Sequence, residues 1–66
     1  MDFMNTTYRI ASKSYTNRGC KTFVGRARYY ENKRFLFSES TGIHRLTPID
    51  AQIDAYRIAL ERMHQD

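Results

Sequence analysis

The side chains with chemistry to offer in this 66-residue chain are mostly cations. Arg26 and Arg28 are two residues apart, as are Arg28 and Tyr30, and Arg34 follows shortly after. In an extended chain that spacing places alternate residues on one side. Arg9 and Lys13, which share one side of an earlier extended stretch, can join them. Cations interleaved with an aromatic ring can track a phosphate backbone or grip an acidic protein surface. The plainer alternative is a solvated strand face, on which arginine discourages edge-to-edge pairing.

Candidates for catalysis are few. His44 and His64 have no sequence neighbour with which to form a metal-binding or proton-relay pair, so both are expected at the surface. Cys20 lies near Arg18 and Lys21, but a nucleophile also needs a base and an oxyanion site, and no such arrangement is visible. A single cysteine cannot form an internal disulfide or a Cys-based zinc site. Asp50 and Asp54 are one helical turn apart, which an exposed, capped helix start accounts for. No glycine-rich phosphate loop is present. The chain is therefore read as a binding protein and not an enzyme, with no metal and no cofactor.

Charge narrows the partner. Residues 1–46 hold nine Lys or Arg against Asp2, Glu31 and Glu39, a net +6, whereas residues 47–66 hold Arg57 and Arg62 against four acids, a net −2. The basic half points to a polyanion or an acidic protein surface. The length allows one domain, residues 1–66, with one thin core. No apolar run reaches the ~20 residues needed to span a bilayer, and no signal-peptide pattern opens the chain, so a cytoplasmic location without membrane contact is expected.

These residues need elements to position them. Thr7 to Tyr15, Lys21 to Tyr30 and Arg34 to Ser40 read as three strands, with a turn at Thr16–Gly19 and a three-residue connection at Glu31–Lys33. That connection pairs Tyr29 with Phe35 and Ala27 with Phe37. Phe23, Gly25, Ala27, Tyr29, Phe35 and Phe37 then share one face, and Arg26, Arg28, Tyr30 and Arg34 share the other with Arg9 and Lys13. A two-residue connection would slip the third strand by one and mix the phenylalanines with the arginines. Residues 41–46 read as a loop. Phe3 is expected against the core.

Thr47 is a good N-cap, followed by Pro48 at the first helical position and Asp50 in the first turn. Ile49, Ile53, Tyr56, Leu60 and Met63 recur at helical spacing and are expected to face the sheet. The opposite side carries Ala51, Ala55, Ile58 and Arg62, read as tolerated surface or as the seam of a partner or homodimer. The architecture is α+β: a three-stranded antiparallel meander with one C-terminal helix on one face, β-β-β-α.

The segment Phe23-Val24-Gly25-Arg26-Ala27-Arg28, with Thr47-Pro48 and Ala51, Ala55, Tyr56 and Ala59 later, resembles the layout of AP2-type and integrase-arm DNA-binding domains. The resemblance covers about two-thirds of the chain and implies a sheet set in the major groove with the helix behind it. Arg26, Arg28 and Arg34 would then face the groove. The chain departs from that layout in having no tryptophan in its strands and a longer link from Ser40 to Leu46. In size and economy it also resembles the small proteins of phages and mobile elements, anti-CRISPR proteins included. That second resemblance implies an inhibitor docking on a host nucleoprotein complex through the basic face, and it is the reading placed first. The alternatives are a DNA-binding domain that reads duplex nucleic acid and a structural homodimer.

Overall fold

The computed structural model describes residues 6–64, so the expectation for Phe3 lies outside the described residues. Three twelve-residue strands, β1 (Thr6–Asn17), β2 (Cys20–Glu31) and β3 (Arg34–Arg45), form one antiparallel sheet in the order β1-β2-β3. Helix α1 (Pro48–Met63) lies across one face of it. The β-β-β-α order and the antiparallel meander are as expected.

Both hairpins close more tightly than expected. Asn17 pairs with Cys20 and Glu31 with Arg34, which leaves two-residue turns at Arg18-Gly19 and Asn32-Lys33. All four turn residues have positive φ, between 51° and 76°, the backbone whose twist matches that of the flanking strands. Glycine adopts it without cost at position 19, and asparagine tolerates it at 32.

The two-residue turn would put the third strand one step out of register, and the strand recovers the step by a bulge. Tyr30 pairs with Phe35 and Tyr29 with Phe37, so Leu36 is the extra residue. Phe37 therefore lies on the helix side as expected, stacked on Tyr29 at 4.8 Å, while Phe35 joins Tyr30 on the open side. Residues 41–45, read as loop, continue β3. A second irregularity sets Thr41, Gly42 and Ile43 against Gly25, with Gly42 at φ 71°. The hydroxyls of Ser40 and Thr41 accept the amides of Gly42 and Ile43 there, so the bulged backbone keeps its partners.

The faces of α1 are the reverse of those read from the sequence. Ala51, Asp54, Ala55 and Ala59 are buried against the sheet, whereas Ile49, Ile53 and Tyr56 are 68%, 45% and 47% exposed. The cause is Gly25: a Cβ there would collide with the Ala51 carbonyl oxygen and lie 3.0 Å from Ala55 Cβ. Backbone approach that close admits only small side chains between helix and strand. Alanine, not isoleucine, is what fits over Gly25 and Ala27. The core is accordingly thin: Ala27, Tyr29, Ala51, Ala55 and Ala59 are fully buried, and Tyr8, Ile10 and Ile58 pack against Ala27, Tyr29 and Ala59. Ala51, Ala55, Ile58 and Arg62 are thus engaged with the chain's own sheet and are not a free seam.

Thr47 caps α1 as expected. Its Oγ1 accepts the Asp50 amide at 3.3 Å and lies 2.9 Å from the Asp50 carboxylate, to which it can donate. Two ion pairs tie the helix to β3. The Arg45 fork donates to Asp54 at 2.6 and 3.0 Å, and the Arg62 fork donates to Glu39 at 3.1 and 3.0 Å. Asp54, expected on an exposed helix start, is therefore a buried anchor.

Candidate nucleic-acid interface

Helix α1 covers one side of the sheet, and the other side is open. Because β2 is the central strand, its even-numbered residues form the midline of that open face. In register, Lys13 stands beside Val24, Ala11 beside Arg26, and Arg9 beside Arg28. Across the midline, Ser40 stands beside Arg26, Ser38 beside Arg28, and Phe35 beside Tyr30. The structure thus gathers five of the six expected binding residues, Arg9, Lys13, Arg26, Arg28 and Tyr30, on one surface.

Arg34 is the exception. It pairs with Glu31, whose parity sends both to the helix side of the sheet at the hairpin end. The two-residue turn is the reason, since a three-residue connection would have returned Arg34 to the open face.

The cations of the open face are oriented but not neutralised. The Arg9 guanidinium lies 5.6 Å from the centre of the Tyr30 ring, and the Lys13 amine 5.5 Å from that of Tyr15. Cation–π contacts at exposed sites contribute about 0.5–1 kcal/mol each, enough to bias a rotamer while leaving the charge available. Among the described residues, none of Arg9, Lys13, Arg26 and Arg28 joins an ion pair. No carboxylate among the described residues shares their face: Glu39 points to the helix, Asp50, Asp54 and Glu61 are on it, and Glu31 is on the helix side at the hairpin end. Four like charges with no counter-charge among the described residues give a field that attracts polyanions.

The helix side shows the opposite economy, with charges consumed internally. The Arg62 hydrogen bonds hold the Glu39 carboxyl below its usual range, against burial, which raises it. Arg45 does the same for Asp54. Burial pushes the Tyr29 hydroxyl well above its ordinary value, helped by its 2.7 Å donation to Glu39. Arg62 also lies over the Phe37 ring at 4.9 Å, which closes the cluster.

Four residues of the open face, Phe35, Thr22, His44 and Tyr15, were not anticipated. Phe35 packs edge-on against Tyr30 with ring centres 5.8 Å apart. At the other end, His44 Nδ1 lies 2.8 Å from Thr22 Oγ1, and its ring meets Tyr15 edge-on at 5.5 Å. His44 reaches the sheet only because β3 resumes after Gly42. The only sequence signal for that was Ser40-Thr41-Gly42, two hydroxyl residues before a glycine, which can as readily end a strand as bulge it. The face therefore has a basic centre with aromatic residues at both ends.

Its dimensions suit a nucleic-acid groove. Two interstrand spacings of ~4.8 Å make the sheet about 10 Å across between outer backbones, against a major groove about 12 Å wide. Rows on one face recur every ~6.8 Å, so Arg9 and Arg28 lie two rows, about 14 Å, from Lys13. Ala11, Ser38 and Ser40 keep the surface between the cations low, so that a phosphate backbone can approach closely. Among the described residues, no group of three or more His, Cys, Asp or Glu could hold a metal ion, and no helix is long and apolar enough to cross a membrane.

Fold and face together define a small α+β protein with a helix-backed sheet and one uncovered basic surface. The chain matches no protein-family model, no curated protein and no solved structure.

Proposed function

We propose that the protein is a cytoplasmic binding protein whose open sheet face engages duplex nucleic acid through its phosphates, with the sheet seated in the major groove. The observation that carries this reading is the segregation of charge. Among the described residues, four cations without an ion-pair partner stand on the uncovered face, while Arg45 and Arg62 on the helix side are tied to Asp54 and Glu39. Such a surface would draw most of its affinity from release of condensed counterions, which makes binding steeply salt-dependent.

The test is fluorescence anisotropy of a labelled duplex over a range of salt. Four phosphate contacts predict a slope of log affinity against log salt of about −3.6, or roughly 10²-fold between 50 and 200 mM. Arg26→Ala with Arg28→Ala should reduce the slope by about 1.8. Absence of duplex binding at 50 mM salt overturns the proposal.

A second reading, an inhibitor of phage or mobile-element type docked on a host nucleoprotein complex, is favoured by one specific observation. Arg9, Tyr30 and Phe35 form a compact exposed cluster at one end of the face. Arginine and tyrosine in contact are the residues that dominate protein–protein hot spots. Under this reading Tyr30→Ala alone abolishes capture of the complex from a host lysate, and capture survives nuclease treatment. Under the first reading, digestion of nucleic acid releases every captured partner.

A further inference from the structure

The reversed helix leaves its most apolar side facing away from the sheet. Ile49, Ile53, Tyr56 and Leu60 recur at spacings of four, three and four, with Leu46 three residues before and Met63 three residues after. That is an uninterrupted 3-4 repeat, the pattern of a helix–helix seam and not of scattered surface residues. Leu46 is 76% exposed, Ile49 68%, Ile53 45% and Tyr56 47%, the Tyr56 ring also meeting Tyr8 of β1 at 6.2 Å, while Leu60 and Met63 are half-buried. Monomeric proteins rarely expose a contiguous apolar patch, and this one runs over the first half of α1 and the residue before it, from Leu46 to Tyr56.

We propose that this stripe is the seam of a two-fold, antiparallel homodimer formed by packing α1 against α1 of a second copy. The stripe is its own complement. Run antiparallel, Ile49 meets Leu60, Ile53 meets Tyr56, and Leu46 meets Met63, so every apolar position finds an apolar partner of the other copy. The flanking charges agree with the same alignment. Asp50 and Arg57 border the stripe on one side, one turn of the repeat apart, and opposite polarity brings each acid to the other copy's base. A parallel pairing would put equivalent flanking positions on opposite sides of the seam, out of each other's reach, so the Asp50–Arg57 contact is open only to the antiparallel form. A two-fold axis repeats each of these contacts, as a self-complementary patch requires.

The size of the seam sets its strength. A 16-residue helix is about 24 Å long, which places the contact at the low end of specific interfaces and the dissociation constant in the micromolar-to-millimolar range. Because the seam lies on α1, which is on the opposite side of the sheet from the basic surface, dimerisation covers neither open face. It directs the two faces away from each other, so one dimer presents two separate binding surfaces.

Sedimentation equilibrium of the full chain, without nucleic acid, tests this independently of the binding reading above. From about 1 μM to 1 mM the mass should rise from 7.9 kDa toward twice that value. Ile53→Asp, at an exposed position that leaves the fold intact by circular dichroism, should raise the dissociation constant about 30-fold or more. Asp50→Arg should weaken association, and adding Arg57→Asp should restore it. A mass of 7.9 kDa at 1 mM, or a dimer insensitive to Ile53→Asp, overturns the seam. Failure of the double charge exchange to restore association overturns the antiparallel alignment.

Discussion

Replacing Gly25 with alanine should destabilise the molecule markedly, and the size of the effect follows from one contact. The added Cβ would overlap the carbonyl oxygen of Ala51 and sit 3.0 Å from both the Ala51 carbonyl carbon and Ala55 Cβ. A backbone oxygen inside a helix cannot rotate aside as a long side chain would. The whole of α1 must therefore retreat by about 1 Å, and a gap of 0.5–1 Å forfeits roughly a quarter to a half of each dispersion contact. Ala51, Ala55 and Ala59, all fully buried, would loosen together. Overpacking of this kind costs about 1–3 kcal/mol, and the rigidity of the obstacle places Gly25→Ala at the upper end. A 66-residue domain has only about 3–10 kcal/mol in total, so the loss is a substantial share of its stability. Urea denaturation followed by far-ultraviolet circular dichroism measures it directly, as a fall in midpoint at constant slope. Adding Ala55→Gly should not rescue the variant, because it removes the Cβ contact but leaves the oxygen in place. An unchanged midpoint, or rescue by Ala55→Gly, would refute the close approach of helix to strand.

The reversed helix gives a second stability test: Ile53→Ala should change stability by no more than about 0.5 kcal/mol in the monomer, whereas Ala59→Leu should cost about 1–3 kcal/mol through overpacking. Equal losses by urea titration would mean the helix is docked by its other side. Stability should also fall in acid. The folded pKa values of Glu39 and Asp54 lie below their unfolded values, so their contribution is complete above about pH 4.5 and disappears as pH drops through the folded values. Urea midpoints at pH 7 and pH 3 should show that loss, and Asp54→Asn should lessen it; a pH-independent midpoint would contradict the two ion pairs.

Much of the fold was legible because it rests on local signals. Thr47-Pro48 announced the helix start, alternating residues announced the strands, and Gly19 announced the first turn. The basic face followed from parity in β1 and β2, where no bulge intervenes between Arg9 and Lys13 or between Arg26 and Tyr30. Parity failed in β3, where the extra residue Leu36 compensates a two-residue turn that the strand residues alone do not specify. The helix faces were misread for a different reason. Hydrophobicity marked Ile49, Ile53 and Tyr56 as the core stripe, but steric closeness at Gly25 decided the matter in favour of alanine. Gly25 and Ala27, both small, permit close approach of the helix. The consequence, that only a small-residue helix face could then fit, is a tertiary condition that no hydrophobic period expresses.

Chemical-shift mapping of the ¹⁵N-labelled protein against a short DNA duplex, at low salt, tests the functional account most directly. It predicts perturbations concentrated on the β1 and β2 amides around Arg9, Lys13, Arg26 and Arg28, with those of Ile53 to Leu60 unmoved and the whole pattern fading as salt rises. Shifts confined to α1, or a spectrum indifferent to the duplex, would contradict it.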